Sequence, residues 1–274
     1  MNNSIAFIGA GNMSGAIIGG MVKRGYPAHS ITATGRTQSK LDVLSEKFGV
    51  KTSIDNNEAC AADILVIGVK PQVLQSVVEP LRPHLEHKPL IISVAAGIPM
   101  ESLEKWVGAE HAIVRCMPNT PSLVQLGACG LYANACTSAA QKQQAGGILS
   151  AVGIVEWLDD EALIDAVIAV SGSGPAYYFM FMEAMINAGI SQGLSPDTAR
   201  ALTLQTALGA ASLAQQSDVD VGELKRRVMS PGGTTEQAVL SFEHQGLSQM
   251  VATAMTRCAD RAREMATELS GSDD

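Results

Sequence analysis

A short apolar run that breaks into glycines constrains the fold of this chain more than any other feature. Ile5-Ala6-Phe7-Ile8 is followed at once by Gly9-Ala10-Gly11-Asn12-Met13-Ser14-Gly15. The run reads as a strand, and a helical pattern continues from the glycines to about Lys23. Strand, glycine turn and helix in that order are the context a phosphate-cradling turn needs. Gly9 permits the tight turn, and Gly11 lets the backbone approach a pyrophosphate. Ser14 stands where the strict motif has a third glycine, a mild departure, because a small residue still lets helix and strand pack closely.

The alternation continues down the chain. Ser30–Thr34, Val50–Thr52, Ile64–Val69, Leu90–Val94, Ala112–Met117 and Val152–Leu158 read as further strands, alternating with helical patterns. Ile64–Val69 is apolar throughout, as in a parallel strand buried on both faces. The expectation is an α/β fold whose N-terminal domain, residues 1–160, is a Rossmann-type doubly wound parallel sheet. Ligands of such a sheet lie beyond the carboxyl ends of its strands, which is where Gly9, Lys70, Ala95 to Gly97 and Asn119 fall.

The second strand selects the nucleotide. Sites that prefer NAD usually end this strand on an acidic residue that binds the ribose 2′-hydroxyl. Here the sequence is Thr34-Gly35-Arg36-Thr37, with no carboxylate and with hydroxyls flanking a guanidinium suited to bidentate phosphate binding. NADP, as NADPH, is the expected cofactor, with NADH the weaker alternative.

Beyond Leu158 no period-two segment follows. Glu161–Val170, Ala176–Gly193, a helix opened by Ser195-Pro196-Asp197, Asp220–Met229, Thr235–His244 and Leu247–Leu269 predict an all-α C-terminal domain over 161–274. Ser171–Pro175 reads as a loop between buried helix ends, and it breaks the uncharged Ala166–Met182 stretch well short of a membrane span. The helices holding Tyr177–Met182 and Ala199–Ala214 are apolar over most of their circumference. That predicts a homodimer interlocked through C-terminal helices, with further assembly left open.

Composition excludes several classes. Lys and Arg total 19 against 27 Asp and Glu, a net charge of −8, which argues against nucleic-acid and anionic-membrane partners. Cys60, Cys116, Cys129, Cys136 and Cys258 form no Cys-x-x-Cys pair, so neither a disulfide framework nor a zinc site reads from them. Buried free thiols in a reducing cytoplasm are expected, consistent with the lack of a signal-like segment before Ile5. The histidines are scattered without ligand spacing, so no metal is expected.

Ser230-Pro231-Gly232-Gly233-Thr234-Thr235, followed by the helical pattern of Ala238, Val239 and Phe242, carries the clearest chemistry of the second half. Such a turn exposes consecutive N–H groups at a helix start, where the macrodipole adds positive charge. A carboxylate or phosphate fits there, with two hydroxyls beside it.

Ala169–Tyr177, Ser230–Thr235, the Gly-x-Gly-Asn-Met turn, Val69-Lys70-Pro71, Ser93–Ile98 and Arg115–Pro121 together resemble the pyrroline-5-carboxylate reductase family along the whole chain. The resemblance implies NAD(P)H-dependent reduction of the cyclic imine 1-pyrroline-5-carboxylate to L-proline, with the substrate site among C-terminal helices at a subunit interface. It implies that the substrate carboxylate rests on the Gly-Gly-Thr-Thr backbone at Gly233, Thr234 and Thr235, with Gly232 in the same substrate site, and that Thr235 reaches the ring nitrogen as the catalytic residue. Ser230 and Glu161 match positions in or near that pocket. Gly9, Gly11, Asn12, Met13, Val69, Lys70 and Pro71 join the cofactor set, and Asn56 matches a contact near the adenosine ribose. Two other readings stand beside it. A β-hydroxyacid dehydrogenase shares the N-terminal fold but wants a lysine acid/base in the helical domain, where Lys225 sits in a charged Lys-Arg-Arg run. A non-catalytic NADP-binding regulator would keep Gly9, Gly11 and Arg36 without needing the Gly-Gly-Thr-Thr cradle.

Overall fold

The computed structural model describes residues 3–270; residues 1–2 and 271–274, the outer ends of the two expected domains, lie outside the described residues. Eight strands, counted among the described residues, form one sheet: β1 Ile5–Ile8, β2 Ile31–Thr34, β3 Lys51–Ser53, β4 Ile64–Ile67, β5 Leu90–Ser93, β6 Ile113–Met117, β7 Gly127–Ala133 and β8 Gly153–Trp157. Their order is β3-β2-β1-β4-β5-β6-β7-β8. The strands are parallel from β3 to β6, as expected for a doubly wound sheet. β7 is the exception. It runs antiparallel to β6 and carries β8 parallel to itself. Sequence pattern alone predicts no strand at Gly127–Ala133, because small residues and two glycines give it a weak strand signature. The glycines serve close packing: a Cβ at Gly130 would stand 2.7 Å from Val167 Cγ1, and one at Gly127 would stand 2.9 Å from Val152 O.

The apolar strands follow from burial on both faces. Ile5, Phe7, Val66, Ile92 and Val114 face one way, onto Ile17, Ile18 and Met21 of helix α1 (Asn12–Lys23) and Ile148 and Leu149 of α5 (Ala139–Leu149). Ala6, Ile8, Leu65, Ile67, Ile91 and Ile113 face the other way, onto Leu74 and Val78 of α3 (Pro71–Val78) and Leu103 and Trp106 of α4 (Met100–Val107). Helix α2 (Gln38–Phe48) adds Leu44 to the first cluster. Each fully buried Ile or Leu contributes roughly 1.5–3 kcal/mol. Two such layers therefore hold the sheet edge in place.

Past β8 the chain is helical, with α6 (Leu163–Val167), α7 (Gly174–Ser191), α8 (Pro196–Gln215), α9 (Val221–Val228), α10 (Thr234–His244) and α11 (Leu247–Ser270). The loop expected at Ser171–Pro175 is absent. A π-helical turn, Ile168–Gly172, follows α6 directly, closed by Ser173 N–H donating to Ile168 O at 2.8 Å. Pro175 sits in the first turn of α7, where its missing N–H has no intrahelical partner to lose.

Packing divides the chain into two compact units: Met1–Ser173 with Cys258–Asp274, and Gly174–Arg257. The second has little core of its own. Among its described residues Ala199 is the one buried apolar side chain, while Tyr178, Phe179, Met180, Leu202, Leu208 and Leu213 are exposed. The expectation of buried helix ends holds only in part, since Gly174 at the start of α7 is buried while Tyr178, Phe179 and Met180 one turn on are exposed. The cysteines are all free, but Cys136 is exposed and Cys258 half-buried rather than buried. No described helix is long and apolar enough to cross a membrane.

Candidate functional site

Sheet register builds the site. It aligns Ile8 with Thr34 and Ile67, Ile67 with Ser93, and Ser93 with Arg115. The segments leaving this row carry the residues expected at the ligand edge. Gly9 turns with φ +105°, and its N–H donates to Thr34 O at 2.9 Å. A Cβ there would lie 2.9 Å from Gly68 C, Gly68 O and Val69 Cγ1. Ser14 is fully buried, and its Oγ would lie 2.3 Å from a Cβ on Gly68, so the missing third glycine has moved to the neighbouring strand end.

Gly11 caps α1 with no side chain bonding its first-turn amides and no acid in that turn. A Cβ on Gly11 would meet only Gly68 O, at 3.8 Å. The chain itself therefore leaves this space open above the amides of Asn12 and Met13, as a phosphate requires. A dinucleotide pyrophosphate fits this cradle.

At the end of β2, Thr34 is fully buried and its hydroxyl donates to Asn56 Oδ1 at 2.7 Å. The half-buried Asn56 keeps its amide NH2 without a partner among the described residues, a donor suited to a ribose oxygen. Arg36 is exposed, with no ion-pair partner among the described residues. Thr37 caps α2 without bonding its amides. Arg36, Thr37 and the α2 start thus offer charge and donors to a ribose phosphate. Lys40 and Ser39, which sequence reasoning did not single out, line a groove of about 830 Å³ with Ala10, Gly11 and Asn12. Their signal was present in the basic, hydroxyl-rich run after Arg36.

Lys70 is exposed at the cap of α3, with Pro71 at the first helical position and Val69 half-buried before it. Ala95, Ala96 and Gly97 leave β5 together, Gly97 at φ +74°. Asn119 is nearly buried, and its side chain is spent inside the chain: Nδ2 donates to Ser171 O at 3.0 Å and Oδ1 accepts from Ala128 N–H at 2.9 Å. It braces the edge more than it faces it. Glu161 belongs to the first unit, where it is ion-paired with Arg115 and accepts the Met100 N–H at 2.6 Å. Nearby Asp165 is held above the usual carboxylate range by desolvation, opposed by Arg263 and Arg115.

The Ser-Pro-Gly-Gly-Thr-Thr turn lies in the second unit. Gly232 is left-handed at φ +71°, and its N–H donates to Glu236 Oε2 at 2.8 Å. Gly233 N–H donates to Ser230 O at 2.8 Å, and Gly233 caps α10 with no side-chain bond. The run of amides expected to be free from Gly233 onward thus starts one residue later, at Thr234. Thr234, Thr235 and Glu236 form the first turn of α10, with Thr235 half-buried.

Fold and edge chemistry together put the first unit among the nicotinamide-dinucleotide oxidoreductases. Residues 4–97 match the family described as NADP oxidoreductase, coenzyme F420-dependent, and residues 161–265 match the pyrroline-5-carboxylate reductase dimerisation family. The chain is 53% identical over 266 residues to a pyrroline-5-carboxylate reductase of Pseudomonas aeruginosa, covering 97% of each chain. A solved pyrroline-5-carboxylate reductase of Coxiella burnetii superposes with a TM-score of 0.94 at 43% identity, covering 97% of this chain and 99% of that one. The Plasmodium falciparum pyrroline carboxylate reductase, solved with NADP bound, gives a TM-score of 0.85 at 30% identity, covering 97% and 98%. The chain belongs to the pyrroline-5-carboxylate reductase family.

Proposed function

We propose that this protein reduces 1-pyrroline-5-carboxylate to L-proline with NADPH, as a cytoplasmic homodimer in which residues 1–160 bind the nucleotide and residues 161–274 the substrate. The observation that carries this reading is the match over 97% of both chains to the Pseudomonas aeruginosa enzyme. NADPH, when bound, supplies the hydride that goes to the imine carbon, while the ring nitrogen ends with a proton.

The chain's part is to bind and orient. The α1 cradle of Gly9, Gly11, Asn12 and Met13 takes the pyrophosphate. Thr34 sets Asn56 toward the ribose, and Arg36 with Thr37 takes the 2′-phosphate. Lys70, the Ala95–Gly97 segment and the Asn119 turn border the other half of the nucleotide. The substrate carboxylate is taken at the start of α10 by the amides of Thr234 and Thr235, with Ser230, Gly232 and Gly233 shaping the turn. Thr235 Oγ1 orients the ring nitrogen. Such positioning supplies most of the acceleration when the cofactor carries the chemistry. An iminium can be protonated by solvent before it binds, so no strong acid is demanded of the chain. Glu161 enters less directly, because one of its carboxylate oxygens already serves Arg115 and Met100. The reading as a whole is tested by following L-proline formation alongside NADPH loss with purified protein.

Arg36→Ala tests the choice of cofactor. Losing a charge-assisted phosphate contact costs about 1.5–3 kcal/mol, so KM for NADPH should rise roughly 10–100-fold while KM for NADH stays within about twofold. Equal effects on both cofactors would remove Arg36 from the phosphate site.

A further inference from the structure

Glu161 joins three elements of the first unit. Its Oε1 accepts the N–H of Met100, the first residue of α4, at 2.6 Å and also takes the ion pair from Arg115 Nη1 on β6. Pro99, the cap residue of α4, has no side chain that bonds the helix start, so Glu161 caps α4 from a distance of 61 residues in sequence. Arg115 is 9% exposed, and a guanidinium that buried needs a charged partner to stay where it is. Arg115 is also aligned in the sheet with Ser93, the last residue of β5.

The segment between β5 and α4, Val94 to Pro99, is held at its start by sheet pairing, with Val94 N–H donating to Ile67 O at 3.0 Å, and at its end by the ion-paired carboxylate of Glu161. Arg115 orients that carboxylate. Within it Gly97 turns at φ +74°, and a Cβ there would lie 3.3 Å from Leu269 Cδ1. Asp165, the other carboxylate beside Arg115, pairs with Arg263 at 3.7 Å.

We propose that Arg115 and Glu161 form a positioning clamp for the Val94–Pro99 segment, setting the nicotinamide half of the nucleotide cleft, and that Glu161 acts there rather than as a substrate ligand. In an open α/β sheet the dinucleotide lies across the strand ends with its adenosine ribose at β2. The half that meets the end of β5 is the nicotinamide half. Loosening the clamp should weaken binding of the whole dinucleotide and spare a fragment that lacks nicotinamide.

The proposal rests on the reductase reading, but binding titrations need no turnover. Wild-type protein that binds NADPH and reduces no imine would defeat that reading without touching the clamp. The experiment measures Kd for NADPH and for 2′,5′-ADP in wild type, Glu161→Ala, Arg115→Met, the double variant and Asp165→Asn. Both single variants should raise Kd for NADPH about 5–20-fold with 2′,5′-ADP within about twofold, less than the loss of a direct charge-assisted contact because the clamp acts on the nucleotide only through the Val94–Pro99 segment. The double variant should be no worse than the poorer single one, and Asp165→Asn should bind as wild type. Glu161→Gln, which keeps an acceptor for Met100, should shift the same way by a smaller factor, and it decides the matter should Glu161→Ala fail to fold. An unchanged Kd for NADPH with a raised KM for pyrroline-5-carboxylate would overturn the clamp and make Glu161 a substrate ligand. Equal weakening of both nucleotides would overturn it in favour of general loosening.

Discussion

Gly9→Ala should lower the melting temperature of the protein by roughly 5–15 °C and abolish NADPH binding at ordinary concentrations. Two effects add. A side chain at φ +105° is strained, costing about 1–2 kcal/mol. The new Cβ would also stand 2.9 Å from Gly68 C and O, which are backbone atoms of the adjoining strand end and cannot swing away. Overpacking of that kind costs about 1–3 kcal/mol. A total of about 2–5 kcal/mol gives the melting shift stated, at about 3 °C per kcal/mol for a unit of this size. Gly25 supplies the control, because it also turns with positive φ, at +88°, yet a Cβ placed there would meet nothing within 4 Å. Gly25→Ala should carry the strain alone and leave NADPH binding intact. Thermal melts and NADPH titrations of both variants check this. A Gly9→Ala protein that melts and binds like Gly25→Ala would mean that the β1 turn has slack.

Thr235→Ala should lower kcat roughly 10–100-fold while Kd for NADPH stays unchanged. The magnitude is that of a hydrogen bond to a charged group, about 1.5–3 kcal/mol, lost where it orients the reacting ring. The backbone amides at the start of α10 survive the substitution, so the substrate carboxylate keeps its site and its KM should move little. Thr235→Ser should recover most of the rate because it restores the hydroxyl. Steady-state kinetics with both substrates varied would check the split. Unchanged turnover in Thr235→Ala would take Thr235 out of the mechanism.

Much of this was legible in the sequence, for identifiable reasons. A continuous apolar run means burial on both faces, so β1, β4 and β5 could be read directly, and the glycines after β1 marked the edge where ligands lie. Helix caps were equally plain. Ser195 Oγ accepts from Thr198 N–H at 3.2 Å, opening α8 where a capping residue is expected, and Asp220, the first residue of the expected Asp220–Met229 helix, caps α9 by accepting from Glu223 N–H at 3.0 Å. The apolar girth of α7 and α8 foretold a unit with almost no core of its own.

What stayed hidden depended on three-dimensional neighbours. β7 is invisible in the sequence because Gly130, paired with Met117 of β6 and Glu156 of β8, must also admit Val167, and a glycine carries no strand signature. Ser14 reads in the sequence as a mild departure, but that Gly68 makes the room for it is visible only in three dimensions. Ser171–Pro175 contains every residue type of a loop, yet a π turn uses them to enter α7. Thr34 and Asn119 fall where ligand residues belong, but their side chains are committed to Asn56, Ser171 and Ala128. Sequence placed them at the edge and could not say which way they faced.

Imine reduction driven by NADPH at this edge is the central claim. The most direct measurement follows cofactor oxidation and L-proline formation by purified protein given 1-pyrroline-5-carboxylate, with NADPH and NADH at matched concentrations. The expected result is proline formed one for one with cofactor oxidised, and faster with NADPH. Tight NADPH binding without proline from either cofactor would contradict it.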